Sequence, residues 1–568
     1  MSEEFQVAGQ NPAALFSLKI HRGDGMALVA MNWKMGKPPD NFVGFAIECK
    51  EPGSAQFFPL KNRLSFPGVG SAKGSNRLST LLSPIQKFRW VHFPRNANLS
   101  GEFTYKVSPV FMDKKNKLSY GDVQEAKIEL RRETYPGQLN VAYTRGFVSS
   151  QAFVDHYKSV KGMLPAKSKD GLDFLPTNPQ ATQALAWMGF EAREAILDVL
   201  DKGLADTQVQ VRVVAYDLNL PEVVSRLEKL GSRLKIIIDN SGDHGKKGSP
   251  ENEAAKRLME SAGTQNVKRQ HMADLQHNKF IAVDGPNQQL AVCGSTNFSW
   301  RAFFVQNNNA VVVQGKTAVQ LFLTAFDNYW ANDTAAGFGK TASVKWTSLG
   351  LNGIDANVAF SPHSKSNALL QSVADDLEHS TTSSLFYSLA FLYQTPGAIK
   401  KAIVKVTKNK HLFVYGISDR RVGGITLQLP DGNLAPVYPA ALSKNLPEPF
   451  KSEPTGGGGI RMHHKFLVID FDKPTARVYL GSYNFSSPAD VKNGENLLLI
   501  RNRRIAVSYL VEALSMFDHY HFRVIQQKAK KAKKKLELAR PPRKPGENAW
   551  WAEDYTDARK IRDRELFA

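Results

Sequence analysis

His277-Asn278-Lys279-Phe280-Ile281-Ala282-Val283-Asp284, followed by Cys293-Gly294-Ser295-Thr296-Asn297-Phe298-Ser299, returns later in the chain as His463-His464-Lys465-Phe466-Leu467-Val468-Ile469-Asp470, followed by Leu480-Gly481-Ser482-Tyr483-Asn484-Phe485-Ser486. The histidines lie 186 positions apart, and Gly294 to Gly481 and Asn297 to Asn484 each span 187, so one residue of insertion separates two copies of one pattern. Seven residue types matched twice at fixed spacing mark an internal repeat. A lone His363-Ser364-Lys365 serves as a control: seven residues after His363 stands Leu370, no Gly-Ser-x-Asn follows, and the reading places it in a surface loop.

The texture around the two copies is also duplicated. Buried-strand runs at Val209–Leu218 and Leu234–Asn240 alternate with amphipathic helices predicted at Pro221–Leu230 and Pro250–Ala262. The plan recurs with strand Val358–Phe360, helix Asn367–Glu378, strand Ser384–Leu392, helix Pro396–Val406 and strand His411–Ile417. Before Tyr135-Pro136-Gly137 the chain reads differently, as short alternating strands such as Phe103-Thr104-Tyr105-Lys106-Val107 broken by turns such as Glu51-Pro52-Gly53, which predicts a β-sandwich of immunoglobulin or fibronectin type. Four regions are expected: a β-rich 1–135, α/β repeats at 136–345 and 346–525, and a basic tail at 526–568.

On a strand, alternate side chains share a face, so His277 with Lys279 and His463 with Lys465 point one way, while Phe280 and Asp284 take the other. Two imidazoles and two ammonium groups meet the needs of phosphodiester cleavage: a nucleophile, an acid for the leaving oxygen and fixed positive charge on the phosphoryl oxygens. A zinc site drawn from His271, His277, His463 or His464 lacks Cys or carboxylate partners at ligand spacing, and no metal or other cofactor is assigned. The Gly456–Gly459 run is no phosphate loop, because no Gly-Lys-Ser/Thr follows; it reads as a hinge for a Pro430–Pro454 insertion over the site. Trp300, Phe303 and Phe304 read as core in preference to a stacking platform.

These residues resemble the paired HKD motifs of the phospholipase D superfamily, which includes bacterial nucleases, phosphatidyltransferases and tyrosyl-DNA phosphodiesterases. The resemblance covers roughly 138–523; because the tyrosyl-DNA branch lacks the motif Asp, Asp284 and Asp470 argue against it. It implies an α/β fold of two mixed sheets flanked by helices and related by a pseudo-twofold, with the motifs meeting at the interface. It also implies metal-independent hydrolysis through a phosphohistidine. His277 is then the nucleophile and His463 the general acid, with Lys279, Lys465, Ser295, Asn297, Ser482 and Asn484 around the phosphate, and Asp284 and Asp470 as structural braces. After the second copy, Asn493-Gly494-Glu495-Asn496 is similar to the family's N-x-E-N, whose acid orients an imidazole; the first copy has Gln306-Asn307-Asn308-Asn309, with neutral Asn308 in that place. If each orienting group serves its own repeat, Glu495 raises the pKa of His463 and makes it the acid.

A net charge of +21 and nine Lys or Arg between Lys528 and Lys544 against Glu537 attract polyanions. Nucleic acid is the expected substrate, phospholipid headgroups the alternative, with a phosphatidyltransferase and an inactive polyanion-binding protein behind them. The acidic opening without an apolar leader, the lack of any membrane-length apolar run and the two cysteines, Cys49 and Cys293, predict a cytoplasmic protein. Both motifs lie in one chain, so dimerisation is not required.

Overall fold

The computed structural model describes residues 5–69, 78–94, 96–130, 133–146, 157, 161–166, 170–390, 392, 397–419, 425–437 and 462–568. The Gly456–Gly459 run and most of the Pro430–Pro454 insertion fall outside them. The chain divides into two compact units, Glu133–Ala506 and a second formed by Met1–Arg132 with Val507–Ala568.

The unit Glu133–Ala506 contains two mixed sheets. The first is built from β1 (Leu139–Tyr143), β2 (Gln210–Ala215), β3 (Leu234–Asp239), β4 (Val267–Gln270), β5 (Phe280–Asp284), β6 (Gln289–Gly294) and β7 (Asn309–Gln314), in the order β1-β7-β6-β5-β2-β3-β4. The second uses β8 (Thr347–Ser348), β9 (Asp355–Ser361), β10 (Ser384–Leu389), β11 (Phe413–Asp419), β12 (Ile425–Gln428), β13 (Leu434–Val437), β14 (Lys465–Ile469), β15 (Arg477–Gly481) and β16 (Glu495–Arg501), in the order β8-β9-β16-β15-β14-β10-β11-β12-β13. The run β7-β6-β5-β2-β3 is thus repeated as β16-β15-β14-β10-β11. In each, the last pair is parallel and the others antiparallel. Sequence duplication and topological duplication coincide.

Local chemistry sets the crossover helices. Pro221 and Pro250 occupy first helical positions, where their missing N–H costs nothing, and the Ser249 hydroxyl caps its helix by accepting from Asn252 N at 3.2 Å. Gly231, at φ 59°, ends the first of these two helices. Val211, Val213, Ile236, Ile238, Ile281 and Val283 pack with Val223, Leu227, Ala254 and Leu258 in one fully buried core. Trp300, Phe303 and Phe304 belong to that core. Two long helices that the sequence pattern does not announce, Ala181–Ala205 and Lys316–Ala331, complete the first repeat; the former is interrupted at Phe190, at φ 47°.

In the other unit, a four-stranded sheet containing Phe16–Arg22 and Ala27–Trp33 and a five-stranded one containing Phe42–Lys50 and Glu102–Met112 are both antiparallel. Phe16, Leu18, Val29 and Met31 from one sheet share a core with Phe45, Ile47, Phe103, Tyr105 and Val107 from the other. That is the sandwich arrangement the alternating pattern implies. The basic segment is not a separate tail: Val507–Ala568 groups with this unit, and Leu538, 3% exposed, is buried against Val43, Phe66, Val110 and Met112.

Candidate active site

His277 and Lys279 lie on the segment entering β5, and His463 immediately before β14, whose first residue is Lys465; the strand ladder starts later than simple alternation implies. All four side chains are buried, with exposures of 5% or less. In each copy the lysine folds back along its own strand: Lys279 Nζ donates to the His277 carbonyl, and Lys465 Nζ to that of His463 at 2.7 Å.

The two repeats interlock. His277 Nδ1 lies 2.8 and 2.9 Å from the carboxylate oxygens of Glu495, and His463 Nδ1 lies 2.7 Å from Asn308 Oδ1. The next residues repeat the exchange, Asn496 Nδ2 donating to Asn278 Oδ1 at 2.6 Å and Asn309 Nδ2 facing His464 Nδ1 at 3.4 Å. Each orienting group therefore serves the opposite repeat: Glu495 holds His277, not His463, so the expectation that Glu495 makes His463 the acid by raising its pKa does not stand, and the roles must rest on other grounds. The Asn308 amide oxygen fixes hydrogen on His463 Nδ1, and Glu495 does the same for His277 when ionised, leaving Nε2 available for chemistry.

Why consecutive residues can reach across follows from the glycines. Gly294 and Gly481 adopt φ 136° and 145°, and a Cβ on either would collide with the carbonyl of Asn309 or Asn496. Only glycine lets β6 and β15 pass that close to the strands carrying the orienting pairs. The serines that follow are spent on the same strands: Ser295 Oγ donates to Asn308 Oδ1 and accepts from Asn309 N, both at 3.0 Å, and Ser482 Oγ accepts from Asn496 N at 3.0 Å. Ser295 and Ser482 thus frame the orienting residues. Asn297 Nδ2 donates to Asp217 Oδ2 at 2.7 Å, and Asn484 stands half-buried at the equivalent place.

Electrostatics follow from enclosure. Burial, reinforced by Lys279, Lys465 and the opposing histidine, pushes His277 well below the ordinary imidazole range, and burial with the same lysines does so for His463. Burial likewise lowers Lys279 to about 7 and raises Glu495 to about 8, the latter against the pull of Lys279. Basic groups under such desolvation stress are ones that a bound anion relieves.

The motif aspartates differ. Asp470, fully buried at φ 52°, accepts from the backbone N–H groups of Thr382, Ser383 and Ser384 at 2.7–3.1 Å and from Thr382 Oγ1 at 2.8 Å. Asp284 is half-buried and has Gln289 Nε2 at 3.5 Å. The control His363 is not on the surface: it is 2% exposed, and its Nδ1 lies 2.8 Å from Asp490 Oδ1.

A cluster beside His277 escaped the sequence reading. His244 Nδ1 lies 2.8 Å from Asp239 Oδ2, and its Nε2 lies 3.1 Å from Asp217 Oδ1 and 3.9 Å from Glu251. Asp239 also accepts from Gln276 N at 2.7 Å, one residue before His277, and Tyr216 stacks edge-on between the His244 and His277 rings at 4.5 and 4.6 Å. Two carboxylate hydrogen bonds raise His244 to about 10 despite burial. Asp217, His244 and Glu251 present ligand atoms within 4.8 Å of one another, but both ring nitrogens of His244 already face carboxylates, so the trio reads as an ion-pair cluster that braces the His277 loop. Of the histidines weighed for zinc, His271 sits apart on Asn240 at 2.8 Å.

A duplicated α/β fold whose repeats exchange orienting groups across a buried pair of His-x-Lys motifs defines a class of phosphoryl-handling proteins. Residues 188–330 and 377–516 match the family described as cardiolipin synthase, PLD-like domain, and the chain belongs to the phospholipase D superfamily. It is 46% identical over 48 residues to phospholipase D of Rickettsia prowazekii (strain Madrid E), a stretch covering 8% of this chain and only 22% of that relative. Among solved structures, it is similar to phosphatidylserine synthase of Haemophilus influenzae Rd KW20, at 11% identity over 60% of this chain and 91% of that one, with TM-score 0.40. It is also similar to the phospholipase D family member Nuc of Salmonella typhimurium, at 25% identity over 25% of this chain and 87% of that one, with TM-score 0.21.

Proposed function

We propose that the chain hydrolyses phosphodiesters through a phosphohistidine on His277, without need of a metal, and that nucleic acid in the cytoplasm is its substrate. The observation that carries this is the crossed pairing of a carboxylate on one buried imidazole and a neutral amide on the other. Attack of His277 Nε2 on phosphorus forms the P–N bond and breaks the bond to the leaving oxygen, which takes a proton from His463. While Nδ1 keeps its proton the phosphorylated ring is cationic, and that charge draws the buried Glu495 into its carboxylate form, which stabilises the ring more than a neutral amide would. His463 needs a partner that fixes its orientation without trapping its proton, which the Asn308 amide provides. Burial keeps His463 uncharged before substrate arrives, and the phosphodiester anion supplies the charge that lets it carry its proton. Water then attacks phosphorus, gives a proton to His463 and displaces His277. Lys279, Lys465, Asn297 and Asn484 face the phosphoryl oxygens. Asp284 and Asp470 act on the strands rather than on substrate.

The +21 charge favours nucleic acid. Headgroup release from phospholipid is the second reading, favoured by the match to the Rickettsia phospholipase D. Cleavage of single- and double-stranded DNA and RNA, beside headgroup release from phosphatidylcholine vesicles, in excess EDTA and with His463→Ala alongside, tests both. EDTA-resistant, His463-dependent nucleic-acid cleavage is expected; headgroup release alone would move the substrate to lipid, and EDTA-sensitive cleavage would refute the metal-independent route.

A further inference from the structure

The lysine-rich segment gains its meaning from what it is strapped to within the unit formed by Met1–Arg132 and Val507–Ala568. Beyond the helix Arg503–Lys531 the chain is pinned at four successive points. Leu538 N donates to Ser65 O at 2.9 Å, Ala539 exchanges hydrogen bonds with the Gln86 amide at 2.8 and 2.9 Å, and Arg540 Nη2 donates to Pro67 O at 2.6 Å. Arg543 completes the strap, its guanidinium donating to the carbonyls of Asp113 and Lys114 and, at 2.8 Å, to Asn116 Oδ1.

That last interaction brings together cations more than 400 positions apart. Lys114, Lys115 and Lys117 all stand exposed on the turn that grips Arg543, and Arg540, Arg543 and Lys544 are exposed on the strap. Carboxylates of the same segments are engaged locally: Asp113 Oδ1 accepts from Lys115 N and Lys117 N, both at 2.8 Å, Glu547 accepts from Arg543 N and Lys544 N at 2.7 and 3.2 Å, and Glu537 pairs with Lys535 at 3.1 Å. Asp113 thereby shapes the turn so that three ammonium groups project from a fixed backbone. Arg543 spends its side-chain donors on carbonyl and amide oxygens, and the Glu547 carboxylate, bonded to the Arg543 and Lys544 backbone, offsets only part of the charge of the strap. Tyr120, on the strand that leaves the turn, is 47% exposed and its hydroxyl donates to Leu81 O at 2.8 Å.

We propose that this composite face, Lys114, Lys115 and Lys117 with Arg540, Arg543 and Lys544, is a docking surface for the sugar-phosphate backbone of nucleic acid, separate from the residues that carry out the chemistry. It rests on the nuclease reading of the His277 site. Cations held on hydrogen-bonded turns match a polyanion of regular charge spacing. Each phosphate neutralised releases counterions, so the surface raises affinity for long strands and makes it salt-dependent, while leaving a small substrate untouched.

The test uses the full chain and the variant Lys114→Gln/Lys115→Gln/Lys117→Gln/Lys544→Gln, which keeps Arg540, Arg543 and their structural hydrogen bonds. Three quantities are compared with wild type: turnover of bis(p-nitrophenyl) phosphate, KM for long DNA, and the salt dependence of long-DNA binding. The expected result is unchanged turnover of the small diester, a KM for long DNA raised about tenfold or more, and a log K against log salt slope reduced by about 0.9 for each phosphate the variant no longer neutralises. Equal KM and equal slope in the variant would overturn the docking surface while leaving the nuclease reading intact. If wild type turns over the small diester but neither binds nor cleaves DNA or RNA, the nuclease reading itself falls. Lysine-dependent sedimentation with phosphatidylglycerol vesicles in place of DNA binding would assign the face to membranes and overturn the nucleic-acid partner.

Discussion

At the scale of single residues, the proposed division of roles between the histidines rests on two contacts. Glu495 holds His277 at 2.8 Å where Asn308 holds His463 at 2.7 Å. Glu495→Gln preserves the tautomer but removes the charge that stabilises a phosphorylated imidazole, so kcat should fall by about 10²- to 10⁴-fold with KM little changed, the scale on which carboxylates beside catalytic histidines act. Steady-state kinetics check this, and a fall confined to KM would contradict it. Lys279 supplies the pH dependence. Its pKa is depressed to about 7 before substrate binds, and a bound phosphodiester anion favours the ammonium form. Binding must therefore take up a proton above that value, and KM should rise as pH climbs through about 7. Lys279→Arg, which stays charged, should flatten that limb in a pH series.

The element scale separates residues that the motif treats alike. Asp470 satisfies three consecutive backbone N–H groups at the entrance to β10, whereas Asp284 meets one glutamine at 3.5 Å. Removing an acceptor from buried donors costs about 1–3 kcal/mol per group, so Asp470→Ala should destabilise the chain by several kcal/mol and Asp284→Ala by less than about 1 kcal/mol. Denaturant midpoints decide it; equal losses would show that the two aspartates brace alike. The elements themselves were largely legible: Pro221–Leu230 and Pro250–Ala262 were readable because proline, acidic first turns and terminal glycine all agree. The crossing of orienting groups was not, since Glu495 and His277 are 218 positions apart and only the interlocked repeats bring them together. The His244 cluster belongs to no spaced motif. Its one signal was acids at the carboxyl ends of two adjacent parallel strands, Asp217 just after β2 and Asp239 closing β3, the end of an α/β sheet where sites form.

For the whole molecule, duplication in the sequence became duplication of sheets, yet the two copies make one site rather than two. The split of the chain was less legible: nothing in the Lys528–Lys544 composition announces that Leu538 and Arg543 strap it to a β-sandwich residues away in sequence by hundreds. Burial of one leucine and donation to carbonyls are interactions that charge counting cannot see. A single shared site makes a strict demand on stoichiometry and position. The direct measurement is to mix the His463→Ala chain with bis(p-nitrophenyl) phosphate, whose leaving group needs no acid, and weigh the quenched protein intact and after digestion. One phosphoryl adduct per chain, located on His277 and lost in His277→Ala, is the predicted result. Two adducts per chain, an adduct elsewhere, or unchanged turnover in His277→Ala would contradict a single phosphohistidine site built from both repeats.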